Sequence, residues 1–114
     1  MIQEKVQPMR VDVDGESYTL EFDRDSVRFA ESREFNVNNV AIYPQTNVPA
    51  LFFYAFRKNH KRVSRDMTDK LLTRMGGLTE EQLVRLVALY MVPQKALVDG
   101  SEEVQKNAGV TVEL

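Results

Sequence analysis

One histidine, seventeen carboxylates and fifteen strong bases, with no cysteine, bound the chemistry open to this 114-residue chain. His60 sits between Arg57, Lys58, Lys61 and Arg62, so a metal site would have to consist largely of carboxylates. It reads as a solvated surface residue. Asp12 and Asp14 lie beside a turn, and Asp23 and Asp25 flank a helix start. Each pair has the charge to bind a cation or move a proton, but turn and cap roles explain them more simply. Gly76-Gly77 lacks the preceding strand and the lysine that a phosphate loop needs. No nucleophile stands with a base. The sequence is read as non-enzymatic, with no cofactor and no metal.

The remaining chemical candidate is a basic run, Arg57, Lys58, Lys61, Arg62 and Arg65, behind the aromatic stretch "LFFYAFRKNH" at residues 51–60. Such a run could grip phosphates while Phe52, Phe53, Tyr54 and Phe56 stack on bases, as in single-strand binders. In the plainer reading, Phe52, Ala55 and Phe56 face the core at helical spacing and the bases cover a solvated end. The plainer reading is preferred, because the patch is small and no motif of a nucleic-acid module accompanies it. A third reading is contact through apolar surface, since a helix that is apolar on every side is either central or meets a partner.

These residues need elements to position them. "MRVDVDGESYTLEF", residues 9–22, alternates apolar and polar residues around Asp14-Gly15 and predicts a type I′ hairpin. Val11 then faces Tyr18 and Met9 faces Leu20, giving one apolar face that must pack on helices. Asp23, Asp25 or Ser26 caps a short helix. The Asn-rich segment 36–48 reads as a loop with an extended piece near 40–43, and Pro49 as the start of a second helix that the 51–60 stretch opens. Ser64 caps a third helix sharing Met67, Leu71 and Met75, which Gly76-Gly77 ends. Thr79 and Gln82 form a capping box for a fourth helix, with Leu83, Leu86, Val87, Tyr90 and Met91 as its stripe, ended or kinked by Pro93. Gly100 closes the helical region, and "VTVEL" at the C-terminus alternates like an extra strand.

The expected fold is α+β: an N-terminal β-hairpin packed on a bundle of about four short helices. One domain is expected over 1–114, with the hairpin at about 9–22, helices at about 24–99 and a tail at 100–114. A chain of this length, 43% hydrophobic, buries roughly two-thirds of its unfolded surface. With a net charge of −2, affinity for nucleic acid or membrane must come from a local patch. The absence of cysteine suits a reducing cytosol. No segment reads as a signal peptide and no apolar run approaches the ~18 residues of a membrane helix, so a cytoplasmic location is expected.

The segments "YTLEFDRDSVRFAESREF", "VPALFFYAFRKNHKRVSRD" and, after the Gly-Gly break, "LTEEQLVRLVALY" resemble a family of small proteins of tailed phages and prophages of Gram-positive bacteria, the tail assembly chaperones. The resemblance runs from about Tyr18 to Leu97 and is weakest in the 36–48 loop and the tail. It implies a largely helical protein with an N-terminal β element. Such proteins bind the long helical tape-measure protein, keep it soluble and recruit tail-tube subunits around it. They act in the host cytoplasm and are absent from the finished virion; some also exist as a longer frameshifted form. The family offers no site residues to carry over. From the residues themselves, Phe53, Tyr54, Leu89 and Met91 are the candidate client surface, flanking the stripes assigned to the core, with Arg57, Lys58, Lys61 and Arg62 as a basic edge for acidic client residues. A spare edge strand and a broad apolar helix also invite pairing into a homo-oligomer. A nucleic-acid-binding protein using residues 57–65 and a structural tail or head-completion subunit are the alternatives.

Overall fold

Asp14 and Gly15 have φ of 53° and 83°, the left-handed pair that a type I′ turn requires. They join β1 (Met9–Val13) to β2 (Glu16–Leu20) in the expected register, Val11 opposite Tyr18 and Met9 opposite Leu20. The apolar face of this hairpin is buried, while Arg10, Asp12 and Ser17 form a hydrogen-bonded set on the exposed face. This is a computed structural model describing residues 6–98 and 102–111. It is α+β: the two-stranded hairpin is followed, among the described residues, by five α-helices and a 3₁₀ turn.

Helix α1 (Arg24–Ser32) starts at a capping box, in which the Asp23 carboxylate accepts the Ser26 amide at 2.8 Å and the Ser26 hydroxyl accepts the Asp23 amide at 2.8 Å. Burial works against the Asp23 charge, but the Ser26 amide and hydroxyl outweigh it and hold the carboxyl below its ordinary range. The helix ends with Glu34 in the left-handed region, φ 64°, while the Phe35 amide reaches back to the Ala30 carbonyl. That is a Schellman-type ending with glutamate where glycine is usual. It delivers Phe35 into the core.

The next segment departs from expectation. A 3₁₀ turn at Val37–Asn39 replaces the open loop, and residues 40–43 form turns with no extended piece. Helix α2 (Pro44–Tyr54) begins five residues before Pro49. Both prolines suit a first turn, and Pro44 takes it. Pro49 lies inside the helix and leaves the Gln45 carbonyl without its helical donor, a loss outweighed by burial of Ala50, Leu51, Phe52 and Tyr54. The 51–60 stretch therefore closes α2 instead of opening it. After Tyr54 the chain continues in turns, with the Phe56, Arg57 and His60 amides bonded back to Phe53, Tyr54 and Phe56.

Helix α3 (Arg65–Met75) is capped by Ser64 and stopped by Gly76 at φ 75°. Helix α4 (Glu80–Val98) starts with Thr79 and Gln82 bonded reciprocally at 2.9 and 3.1 Å. Pro93 neither ends it nor falls at its boundary. A short α5 (Glu102–Asn107) follows, and Val110 and Thr111 belong to no strand. The rest of the expected "VTVEL" strand, and the expected stop at Gly100, lie outside the described residues.

The core is one apolar cluster, with Leu20, Leu51, Phe52, Ala55 and Leu86 fully buried. Two aromatic series run through it at edge-to-face or tilted angles. Tyr18, Phe56 and Phe52 tie the hairpin to α2, at 5.3 and 5.0 Å between centroids. Phe22, Tyr90, Phe35, Tyr54 and Phe29 join the end of the hairpin, α4, the α1 exit, α2 and α1 at 5.0 to 5.9 Å. Each such pair adds about 0.5–1.5 kcal/mol beyond the area it buries. Burial first, then the charge of Glu31 and the neighbouring Tyr54, push the Tyr90 phenol up to about 12, so it stays neutral at physiological pH.

Glu34 carries the left-handed strain with no packing reason for its side chain, which is exposed. Replacing it by glycine should raise stability by roughly 0.5–1 kcal/mol, read from the urea midpoint at unchanged m-value.

Candidate interaction surfaces

A two-stranded hairpin has two free edges, and the turns after α2 cover one of them. Thr19 points its main chain away from β1: its amide donates to His60 Nε2 at 3.0 Å and its carbonyl accepts from the Asn59 amide nitrogen at 3.2 Å. Two residues on, the Glu21 amide donates to the Ala55 carbonyl at 3.2 Å. Residues 55–60 thus act as an irregular third strand along β2, satisfying groups that would otherwise invite pairing with another chain. His60 also lies edge-on to Tyr18 at 5.4 Å. The expectation of a solvated surface histidine is corrected: an imidazole acceptor was needed where no backbone carbonyl reaches.

Three members of the basic run are engaged within the fold, one of them in the same fastening. The Lys58 ammonium meets Glu21 at 3.0 Å, and Asn59 donates to the other Glu21 oxygen at 3.0 Å. The Asn59 hydrogen bond, then Lys58, hold the Glu21 carboxyl below its ordinary range against some burial. The Arg57 guanidinium stacks on the Phe29 ring at 3.8 Å, with Asp25 at 3.9 Å, beyond hydrogen-bond range, so the stacking is its main contact. Arg65 pairs with Asp69 one helical turn on. Lys61 and Arg62 are exposed, and among the described residues no ion pair uses them. Two free cations make a small electrostatic footprint for nucleic acid.

The four apolar candidates separate. Tyr54 is 7% exposed and Leu89 4%, so both belong to the core. This corrects their assignment to a client surface: Tyr54 is needed between Phe29, Phe35 and Phe53, and Leu89 lies on the inner side of α4. Phe53 is half-buried, with Arg65 over its ring at 6.0 Å. Met91 is half-buried at the flank of α4.

Sequence reasoning missed a different feature. Pro44, Gln45, Val48 and Pro49 of α2 face Leu72 of α3 and Gly77 and Leu78 of the following turn across an open, mostly apolar groove of about 290 Å³. Ile42 and Tyr43, just before α2, are 63% and 61% exposed. The signal was present in "AIYPQTNVP", where two prolines five apart follow two large apolar residues. The acidic pairs have structural roles: Asp12 accepts from Ser17 and Arg10, Asp14 pairs with Arg74 of α3 at 2.7 Å, and Asp23 caps α1. Among the described residues no three metal-ligating side chains converge, and no helix is long and apolar enough to cross a membrane.

The family model that matches this chain covers residues 4–114 and is described as a domain of unknown function, DUF5055. No curated protein and no solved structure matches it.

Two measurements test the fastened edge. His60→Phe keeps the ring against Tyr18 and removes the acceptor, so it should cost about 1 kcal/mol and speed hydrogen exchange at Thr19 more than elsewhere in β2. Glu21 has a lowered pKa in the folded state, so its stabilisation is present above the unfolded value of 4.5 and lost as pH falls through the lower folded value. Glu21→Gln should therefore be less stable than the parent at neutral pH, with the gap closing as both are titrated to acid in urea melts.

Proposed function

We propose that this chain, which belongs to the DUF5055 family, is a non-enzymatic tail assembly chaperone that binds an apolar helical segment of a tape-measure protein. The observation that carries the reading is the apolar groove between α2 and α3, with Ile42 and Tyr43 exposed in the segment that leads into α2. At about 290 Å³ it is at or below the small end of organic-ligand sites, and its lining offers little polar recognition. It suits side chains presented at one-turn spacing by an amphipathic helix. The resemblance to tail assembly chaperones supplies the identity of the client. It also supplies the tail-tube protein as the second partner, and the host cytoplasm as the place of action.

This reading is compatible with a basic run partly engaged within the fold. A client of this kind is held by apolar contact, and Lys61 and Arg62 would influence encounter rate and register more than affinity.

Co-expression with the tape-measure protein of the same genome tests it. The tape measure should be soluble with the parent chain and mostly insoluble with Val48→Asp or Leu72→Asp, both of which place a charge in the groove. Equal solubility without this chain would overturn the proposal. Recovery of the chain from purified virions by mass spectrometry would instead support a structural tail subunit.

A further inference from the structure

Helix α4 has two apolar sides. Leu86, Leu89, Tyr90 and Pro93 point into the core and are buried. Rotated by about half a turn, at 100° per residue, Val84, Ala88, Met91 and Val92 form a second stripe. Val84 is 63% and Val92 41% exposed, and Ala88 and Met91 are half-buried. Among the described residues Val84 and Val92 on this side stay exposed, and one helical turn beyond each end of the stripe stands an exposed charge, Glu81 before it and Lys95 after it.

We infer that this stripe pairs antiparallel with the same stripe of a second copy, about a twofold axis at Ala88. About Ala88 the pattern is close to symmetric: Val84 mirrors Val92 and Glu81 mirrors Lys95, while Met91 mirrors the exposed Arg85. Positions whose numbers sum to 176 face each other, so Val84 meets the partner's Val92, and Glu81 meets the partner's Lys95, twice each. Ala88 meets itself on the axis, where a small side chain lets the backbones approach. Among the described residues no ion pair within the chain uses Glu81 or Lys95. A parallel pair would set Glu81 against Glu81 and Lys95 against Lys95, which like-charge repulsion disfavours. Charge thus selects both the partner and its direction. A contact of about four helical turns falls at or below the low end of the roughly 1,200–2,000 Å² of stable interfaces, so the dimer is concentration-dependent. It is independent of the client reading, because the groove lies on α2 and α3.

Sedimentation velocity should show the parent chain passing from monomer to dimer as its concentration rises. Glu81→Lys should weaken the dimer at least about tenfold, and the exchange Glu81→Lys with Lys95→Glu should restore it. The chain has no cysteine, so single cysteines report register cleanly. Under mild oxidation Ala88→Cys should cross-link to itself readily and Glu81→Cys should not, since only the axial position brings like residues within disulfide reach. A parent chain that stays monomeric at all concentrations overturns the inference. So does a charge exchange that fails to restore pairing, or self-cross-linking at position 81 equal to that at 88.

Discussion

The structure depends on a helix end that is apolar on all sides. Leu51, Phe52, Ala55 and Phe56 are within 1% of complete burial, and Tyr54 is close behind. Residues at successive positions on a helix and its trailing turn point in every direction, so no single neighbour can cover them. The hairpin takes one side through Tyr18 and Phe56, α1 another through Phe29 and Tyr54, and α4 closes against Phe35 and Phe22 through Tyr90. Burying a large apolar side chain contributes about 1.5–3 kcal/mol, so this cluster outweighs any polar contact in the chain. The placement of the other elements follows from the need to surround it.

Surrounding that segment fixes the fate of the polar residues after it. Once Ala55 and Phe56 are seated, the next four residues must run beside β2, and they carry the donors and acceptors that an edge strand lacks. Asn59 and His60 take the two main-chain groups of Thr19, and Lys58 binds Glu21. Arg57 lays its guanidinium on Phe29, since a planar, weakly hydrated cation can be half-buried on a ring where an ammonium would be costly. The start of a run that looks like a charged patch is therefore a seam within the fold, while Lys61 and Arg62 stay exposed.

The hairpin register, the Ser64 cap, the Thr79–Gln82 box and the Gly76 stop were legible in the sequence, and the first cap was narrowed to Asp23, Asp25 or Ser26, because each is set by residues within a few positions of one another. The start of α2 was not: Pro44 and Pro49 carry the same local signal, and the choice between them depends on which placement buries Leu51 and Phe52. Long-range pairing also hid the role of His60, whose partner lies 41 residues away. Tyr54 and Leu89 were misplaced for a related reason. Spacing alone fixes the width of an apolar stripe, whereas the number of packed neighbours decides how much of it is covered. Of the groove of α2 and α3, only the α2 wall had a local signal, in "AIYPQTNVP"; the opposite wall, Leu72, Gly77 and Leu78, is brought to it by the tertiary fold.

A small α+β chain with this much apolar side chain has limited ways to hide it. Two strands and short helices surround the end of α2, and the apolar surface left over among the described residues includes the α2–α3 groove, the outer side of α4, and Leu97, Val98 and Val104 at the end of α4 and in α5. The first two differ in kind. The groove is open and lined mostly by apolar side chains and two prolines, the surface on which the proposed client binding rests. The α4 stripe lies between opposite charges, Glu81 and Lys95, which the inferred twofold pairing sets against each other. With the proposed client in the groove and the inferred pairing along α4, the two contacts would use different elements, α2 and α3 for one and α4 for the other. Two copies would then present two grooves to one long helical client, which strengthens capture through effective concentration without any further contact.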